Sequence, residues 1–175
     1  MRTEAHPAAH RAFTLIELVT VIVILGVMAV AVGAPTLGYV DSLRSQTAAS
    51  RMLADIRYTQ RYAMSSGLQT WIAINVAGDS YQLYAEDPNN PGKANRVPLM
   101  HPLDQSTNAV QFGSGAFTNV GIAAANINAT TELEFDSFGV PYDGNSTAMT
   151  ADGTLSLTNG VTLTIHQVSG FTEQS

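Results

Sequence analysis

Cysteine is absent from the 175 residues, which excludes disulfides, cysteine metal sites and a thiol nucleophile. Basic residues are scarce beyond position 67: ten acidic side chains there face only Lys93 and Arg96, a balance of −8. A surface of that sign disfavours nucleic acid as a partner of the C-terminal part. The patterns of catalysis are missing too. His6 and His10 lie near the start, and neither His101 nor His166 has HExxH-like or other metal-ligand spacing around it. A lone histidine such as His166 reads as a surface or satisfied polar residue. Ser65-Ser66-Gly67 and Gly113-Ser114-Gly115 lack the G-x-S-x-G frame of a nucleophile elbow, and no phosphate loop or dinucleotide fingerprint is present. The expectation is a chain that is not an enzyme, without cofactor or metal. The acidic stretch Glu86-Asp87-Pro88-Asn89-Asn90 offers oxygens of the kind Ca²⁺ takes, but without EF-hand-like spacing it reads as a plain surface loop.

What is there begins with a long apolar run. Residues 13–34 are 22 in number and carry one charge, Glu17; as a helix at about 1.5 Å per residue they span roughly 33 Å, enough to cross a bilayer. Arg2 and Arg11 precede the run, so the positive-inside rule leaves residues 1–12 in the cytoplasm and the remainder outside. A carboxylate near a bilayer centre costs about 2.5–3.5 kcal/mol, which makes Glu17 a functional candidate. Three readings compete. The segment is a signal peptide with the small-residue site Ala29-Val30-Ala31, or a plain anchor with Glu17 at headgroup level, or a helix whose Glu17 meets a positive charge made nearby. A cut after Ala12 would give Phe13 a free amine, and an amine and a carboxylate on packed neighbouring helices would neutralise each other.

The stretch RAFTLIELVTVIVILGVMAVAVGAP, Arg11 to Pro35, resembles the processing segment of type IV pilins and type II secretion pseudopilins. A short basic leader precedes a small residue, then Phe13-Thr14-Leu15-Ile16-Glu17-Leu18, a helical Gly26, and Pro35 where the run stops. The resemblance implies that a prepilin peptidase cuts between Ala12 and Phe13 and methylates the new N-terminus. Ala12 stands where the family usually has Gly. The resemblance further implies that Glu17 pairs with a neighbouring subunit's N-terminal amine and sets the register between helices during assembly.

Past Pro35 the pattern remains helical: Ala49, Leu53, Ile56 and Ala63 are spaced by four, three and seven, which describes one face, and Gly67 is a stop. Arg44, Arg51, Arg57 and Arg61 occupy the other faces and read as a solvated stripe, or less directly as a contact for anionic lipid heads or acidic neighbouring heads. Strands are predicted at residues 70–76 and 81–85 as a hairpin, then at 109–112, 132–135, 154–158 and 161–168, with a loop over 86–95 and an undecided segment at 117–128. Glu132, Glu134 and Asp136 alternate along one strand, which predicts its solvated face.

These elements predict an α+β fold, a long N-terminal helix whose second half packs on an antiparallel sheet. The stretch Phe135-Asp136-Ser137-Phe138-Gly139-Val140-Pro141 and the closing Val168-Ser169-Gly170-Phe171 resemble the tail of the GspH/FimT group of minor pseudopilins, and Asp55 to Gly67 resembles that group's helix end. The expected organisation is a leader at 1–12, a transmembrane and assembly helix at 13–35, an amphipathic continuation at 36–67 and a periplasmic β-rich head at 68–175. The implied role is structural: a minor pseudopilin of a type II secretion system, held in the bacterial inner membrane and assembled into a pseudopilus. Its expected partners are other pilin-like subunits, the prepilin peptidase and the assembly platform. Pro35 would permit a bend where the helix leaves the bilayer. The alternatives are a minor pilin of a type IV pilus serving adhesion or DNA uptake and, from another class, a signal-anchored periplasmic binding protein.

Overall fold

A computed structural model describes residues 13–101, 106–107 and 109–175, with the side chains of residues 30–37 outside that description. The leader, including Ala12, lies outside the described residues. The first element is a single helix, α1 (Leu15–Ser66), of 52 residues, and the chain divides after Tyr39 into two units. In the first unit the large apolar side chains from Phe13 to Met28 are all exposed, from 45% for Val19 to 81% for Leu15. Among the described residues no helix is long and apolar enough to cross a membrane. The expected spanning run reaches into residues 30–37, whose side chains fall outside the description.

In the second unit, α1 presents Ser45, Ala48, Ala49, Met52, Asp55, Ile56, Thr59 and Ala63 as its buried face. The three- and four-residue spacing is that of one helical stripe. Met52, not Leu53, is its fully buried centre, and Leu53 packs at the edge. The stripe includes polar residues that hydropathy assigns outward: Ser45 Oγ accepts from Asn159 Nδ2 at 2.9 Å and Thr59 Oγ1 donates to the Asp55 carbonyl at 2.8 Å. Gly67 ends the helix as expected, with a left-handed φ of 72° and its N–H donating to the Ala63 carbonyl at 3.0 Å.

The strands form two antiparallel sheets. The first contains β1 (Thr70–Asn75), β2 (Ser80–Ala85), β3 (Val97–Pro98), β4 (Ala109–Gln111), β6 (Glu132–Phe135) and β7 (Pro141–Asp143), ordered β3-β2-β1-β6-β7 with β4 also on β2. The second orders β10 (Thr172–Gln174), β9 (Thr162–Ile165), β8 (Gly153–Leu157) and β5 (Ile122–Asn126). The expected β1–β2 hairpin is present, with Thr70 opposite Ala85 and Asn75 opposite Ser80. Ile72, Leu83 and Leu133 from one sheet and Leu155, Leu163 and Ile165 from the other join Met52 and Ile56 in one buried cluster. That cluster holds the helix on the head.

Two expectations about the head need correction. Sequence patterning missed β3, β7 and β10, each two or three residues long and fixed by pairing more than by composition. The row Glu132, Glu134, Asp136 is not a solvated face. Glu134 is 2% exposed and accepts from Ser146 Oγ at 2.8 Å, while Asp136 Oδ1 accepts the amides of Phe138 and Val140. Glu132 pairs with Lys93 at 3.1 Å and with Arg96. The alternation itself is real, since Leu133 and Phe135 face the core. What the pattern could not show is a second cover: residues 86–96 cross the opposite face and are tied to it by Lys93, Arg96 and the Arg96 guanidinium 4.4 Å over the Tyr84 ring.

Candidate functional site

The N-terminal unit carries the residues on which function rests in the sequence. Thr14 precedes the first helical residue, and the Glu17 amide donates to the Thr14 carbonyl at 3.1 Å and to its Oγ1 at 3.3 Å. Thr14-Leu15-Ile16-Glu17 is therefore a capping-box sequence, with Glu17 at the third helical position and its negative charge at the favourable end of the helix dipole. The S/T-x-x-E spacing was present in the sequence, and it is Thr14 that makes the cap, on the Glu17 backbone N–H. Its carboxylate is exposed and has no hydrogen-bond or ion-pair partner among the described residues. Phe13, the expected first residue after processing, is exposed beside it, and Ala12 lies outside the described residues. Helix α1 continues through Pro35 without interruption, so the bend expected there is a matter for proposal.

In the second unit the arginines assigned to a solvated stripe stay partly exposed, and two of them, Arg51 through Asp55 and Arg57 directly, also tie α1 to the head. Arg44 reaches Asp41 at 3.0 Å and Arg51 Nε reaches Asp55 Oδ2 at 2.9 Å. Asp55 also accepts the Tyr81 hydroxyl at 2.7 Å, so one buried carboxylate joins α1 to β2. The hydrogen bond to Asp55 raises the Arg51 pKa further, against burial. Burial, reinforced by the Asp55 charge and hydrogen bond, pushes the Tyr81 hydroxyl far above its ordinary value, and Arg51 opposes this. Arg57 donates to the Thr172 carbonyl at 2.8 Å and lies 5.4 Å over the Phe171 ring. Arg61 alone of the four is fully exposed.

Gln60 is the centre of a second junction. Its Nε2 donates to the carbonyls of Gly139 at 2.8 Å and Ser169 at 2.7 Å, so the turns after β6 and β9 close on one helical side chain. Gly139 and Gly170 have φ of 79° and 64°, and a Cβ on Gly170 would stand 2.7 Å from both Gln60 Nε2 and Phe135 Cε1. The two tail motifs quoted from the sequence are thus the two turns that grip the helix.

The side groups tested for other chemistry are occupied structurally. Glu86 accepts the Gly92 amide at 2.9 Å and Asp87 accepts the Asn89 amide at 2.9 Å, so both carboxylates of the candidate Ca²⁺ loop cap its own backbone. Among the described residues no group of three or more His, Asp or Glu could hold a metal ion. His166 is a satisfied polar residue: Nδ1 is 3.2 Å from Asp152 and Nε2 3.5 Å from Glu173.

Residues 7–33 match a family model described as the prokaryotic N-terminal methylation motif, 27 of the 175 residues. No curated protein matches the chain. Among solved structures the chain is similar to the minor pseudopilin EpsH from the type 2 secretion system of Vibrio cholerae, at 11% identity and a TM-score of 0.55. That match covers 75% of this chain and 94% of the other. It is also similar to the type IV minor pilin FimU of Pseudomonas aeruginosa, at 15% identity and a TM-score of 0.48, over 78% of this chain and 92% of that one. The chain thus carries a prokaryotic N-terminal methylation motif and shares its fold with EpsH.

Proposed function

We propose that this chain is a structural, non-catalytic minor pseudopilin of a type II secretion system, stored in the inner membrane and assembled through its N-terminal helix into a periplasmic pseudopilus. The observation that carries the reading is the methylation motif at residues 7–33 ahead of a head that shares the EpsH fold. In this reading residues 1–12 are the cytoplasmic leader, 13–35 the membrane and assembly helix, 36–67 its continuation and 68–175 the periplasmic head. A prepilin peptidase cuts between Ala12 and Phe13 and methylates Phe13.

The physical logic is that of a helix whose apolar side chains stand exposed among the described residues. Residues 13–29 expose apolar side chains throughout, and burying such surface gains roughly 25 cal/mol per Å². Lipid covers them first and neighbouring helices later. Glu17 then pairs with the amine of an adjacent subunit, where exclusion of water lets the pair fix axial register even when its net stabilisation is small. Pro35 supplies the break in helical hydrogen bonding at which the helix bends on leaving the bilayer. The assembly platform and sister subunits are the implied partners.

The test is the N-terminal sequence and intact mass of the native protein extracted from membranes, with and without its prepilin peptidase. A methylated Phe13 start that disappears without the peptidase is the expected result. A start at Val32, or an unprocessed Met1, overturns the reading and leaves the head as an anchored binding domain.

A further inference from the structure

One face of the head is apolar, exposed and charged with opposite sign at its two edges. Around the Gln60 junction stand Phe138 at 82% exposure, Val168 at 78%, Phe171 at 52% and Met64 at 48%. Their proximity follows from the contacts beneath them. Gln60 holds the carbonyls of Gly139 and Ser169, the residues after Phe138 and Val168, and a Cβ on Gly139 would stand 2.9 Å from Met64. Four large apolar side chains exposed together are uncommon on a monomeric soluble surface and mark an interaction site.

The charges identify the partner. On one edge are Arg57, whose guanidinium lies over Phe171, and Arg61 one helical turn further. Neither has a carboxylate partner among the described residues, although residues 68–175, on which α1 packs, carry a balance of −8. On the other edge His166 stacks on the same Phe171 at 5.9 Å, and Asp152 and Glu173 bracket its imidazole with side chains 42% and 56% exposed. The order is therefore cationic edge, aromatic centre, anionic edge. A two-fold axis through Phe171 sets the arginines of one copy against Asp152 and Glu173 of the other, twice over, with the apolar side chains between. An isologous interface requires such self-complementarity.

We propose that this face takes a second copy of the chain, forming a two-fold dimer of heads through Phe138, Val168 and Phe171 with Arg61 of each copy opposite Glu173 of the other. The proposal is independent of the secretion reading and survives if that reading fails. The geometry also assigns the dimer to subunits outside a filament lattice, because an isologous contact closes on itself whereas a filament needs a head-to-tail one.

The experiment is sedimentation of the full-length protein in mild detergent, with four samples: the unaltered chain, Arg61→Glu, Glu173→Lys, and an equimolar mixture of the two variants. Both positions are exposed, and an unchanged thermal transition checks that each variant folds. The expected result is a dimer in the unaltered chain, at least a tenfold weaker association in either variant alone, and recovery in the mixture, where positions 61 and 173 are both acidic in one copy and both basic in the other. Phe138→Ser gives a second reading, loss of dimer without change of charge. A monomer throughout overturns the proposal. So does association indifferent to both charge reversals, as coupling through the N-terminal helix would be, or loss in both variants without recovery on mixing.

Discussion

The hydroxyl of Tyr81 on β2 donates to Asp55 Oδ2 on α1 at 2.7 Å, and Arg51 Nε reaches the same oxygen at 2.9 Å. A buried carboxylate is costly unless paired and hydrogen-bonded, and both conditions are met by residues from two elements. The triad is therefore a specific polar tie in an interface otherwise made of Met52, Ile56 and Leu83. Tyr81→Phe keeps the ring, its 5.7 Å contact with Phe112 and the charge pair, and removes one hydrogen bond to a charged group. The expected loss is about 1.5–3 kcal/mol. Denaturant unfolding followed through Trp71, the one tryptophan and fully buried, reads it as a lower midpoint at unchanged slope.

The same hydroxyl and Asp143 give pH limbs of opposite sign. Folding raises the Tyr81 pKa, so the unfolded chain loses that proton first. Its stabilising contribution is complete below the unfolded value of about 10 and is lost as pH rises beyond it. Asp143 behaves inversely. Burial pushes its carboxyl up but is outweighed by hydrogen bonds from Asn128 Nδ2 and the amides of Thr147 and Asn145, with the Lys93 charge adding to them, so its pKa falls below the ordinary value. That contribution is complete above the unfolded value of about 3.9 and is lost as pH falls through the lower folded value. Unfolding midpoints across pH should show a weaker acid limb in Asp143→Asn and a weaker alkaline limb in Tyr81→Phe, each leaving the other limb intact.

Two glycines, the helix stop Gly67 and Gly170 at the Gln60 junction, separate strain from crowding. Gly67 and Gly170 both have left-handed backbones, with φ of 72° and 64°, but a Cβ on Gly67 meets nothing within 4 Å while one on Gly170 meets Gln60 and Phe135 at 2.7 Å. Gly67→Ala should cost about 1–2 kcal/mol from backbone strain alone. Gly170→Ala adds overpacking of about 1–3 kcal/mol. Thermal unfolding of the two variants side by side should rank Gly170→Ala the more damaging; the reverse order would mean that the tail does not close on Gln60.

The helix, its stop at Gly67, the β1–β2 hairpin and β6 were legible because each has a local cause: apolar periodicity, a left-handed cap, or a β-branched run. Short strands were not, since Val97–Pro98 and Thr172–Gln174 hold their places by pairing with β2 and β9. Periodicity found the alternation in Glu132 to Phe135 and assigned the wrong environment to its outer face, because the groups that meet it, Lys93 and Arg96 at Glu132 and Ser146 at Glu134, lie outside that strand. The arginines of α1 misled for a related reason. A long cationic side chain can lie over apolar surface and reach a carbonyl or a ring, as Arg57 does at Thr172 and Phe171, and composition alone does not reveal that. In the N-terminal unit the motif was visible, while the capping geometry of Thr14 and Glu17 emerged only from the hydrogen bonds.

The charge-pairing role proposed for Glu17 and the capping of the first turn of α1 by Thr14 are separated by a single pair of variants. Thr14 caps the Glu17 backbone N–H while the Glu17 side chain makes no hydrogen bond among the described residues, so a glutamine fits the same place in the first turn. As the counter-charge of a neighbouring amine Glu17 needs a full negative charge, which glutamine lacks. Glu17→Gln should therefore leave processing at Phe13 and the helical content of the detergent-extracted protein unchanged, yet reduce its recovery in sheared pseudopilus fractions at least tenfold. Thr14→Ala is the converse probe. It removes the side-chain cap, at about 1 kcal/mol, and leaves the charge, so some fraying of the first turn with near-normal incorporation is expected. Normal incorporation of Glu17→Gln together with failure of Thr14→Ala would make the Thr14 cap, and not charge pairing through Glu17, what incorporation requires of this segment.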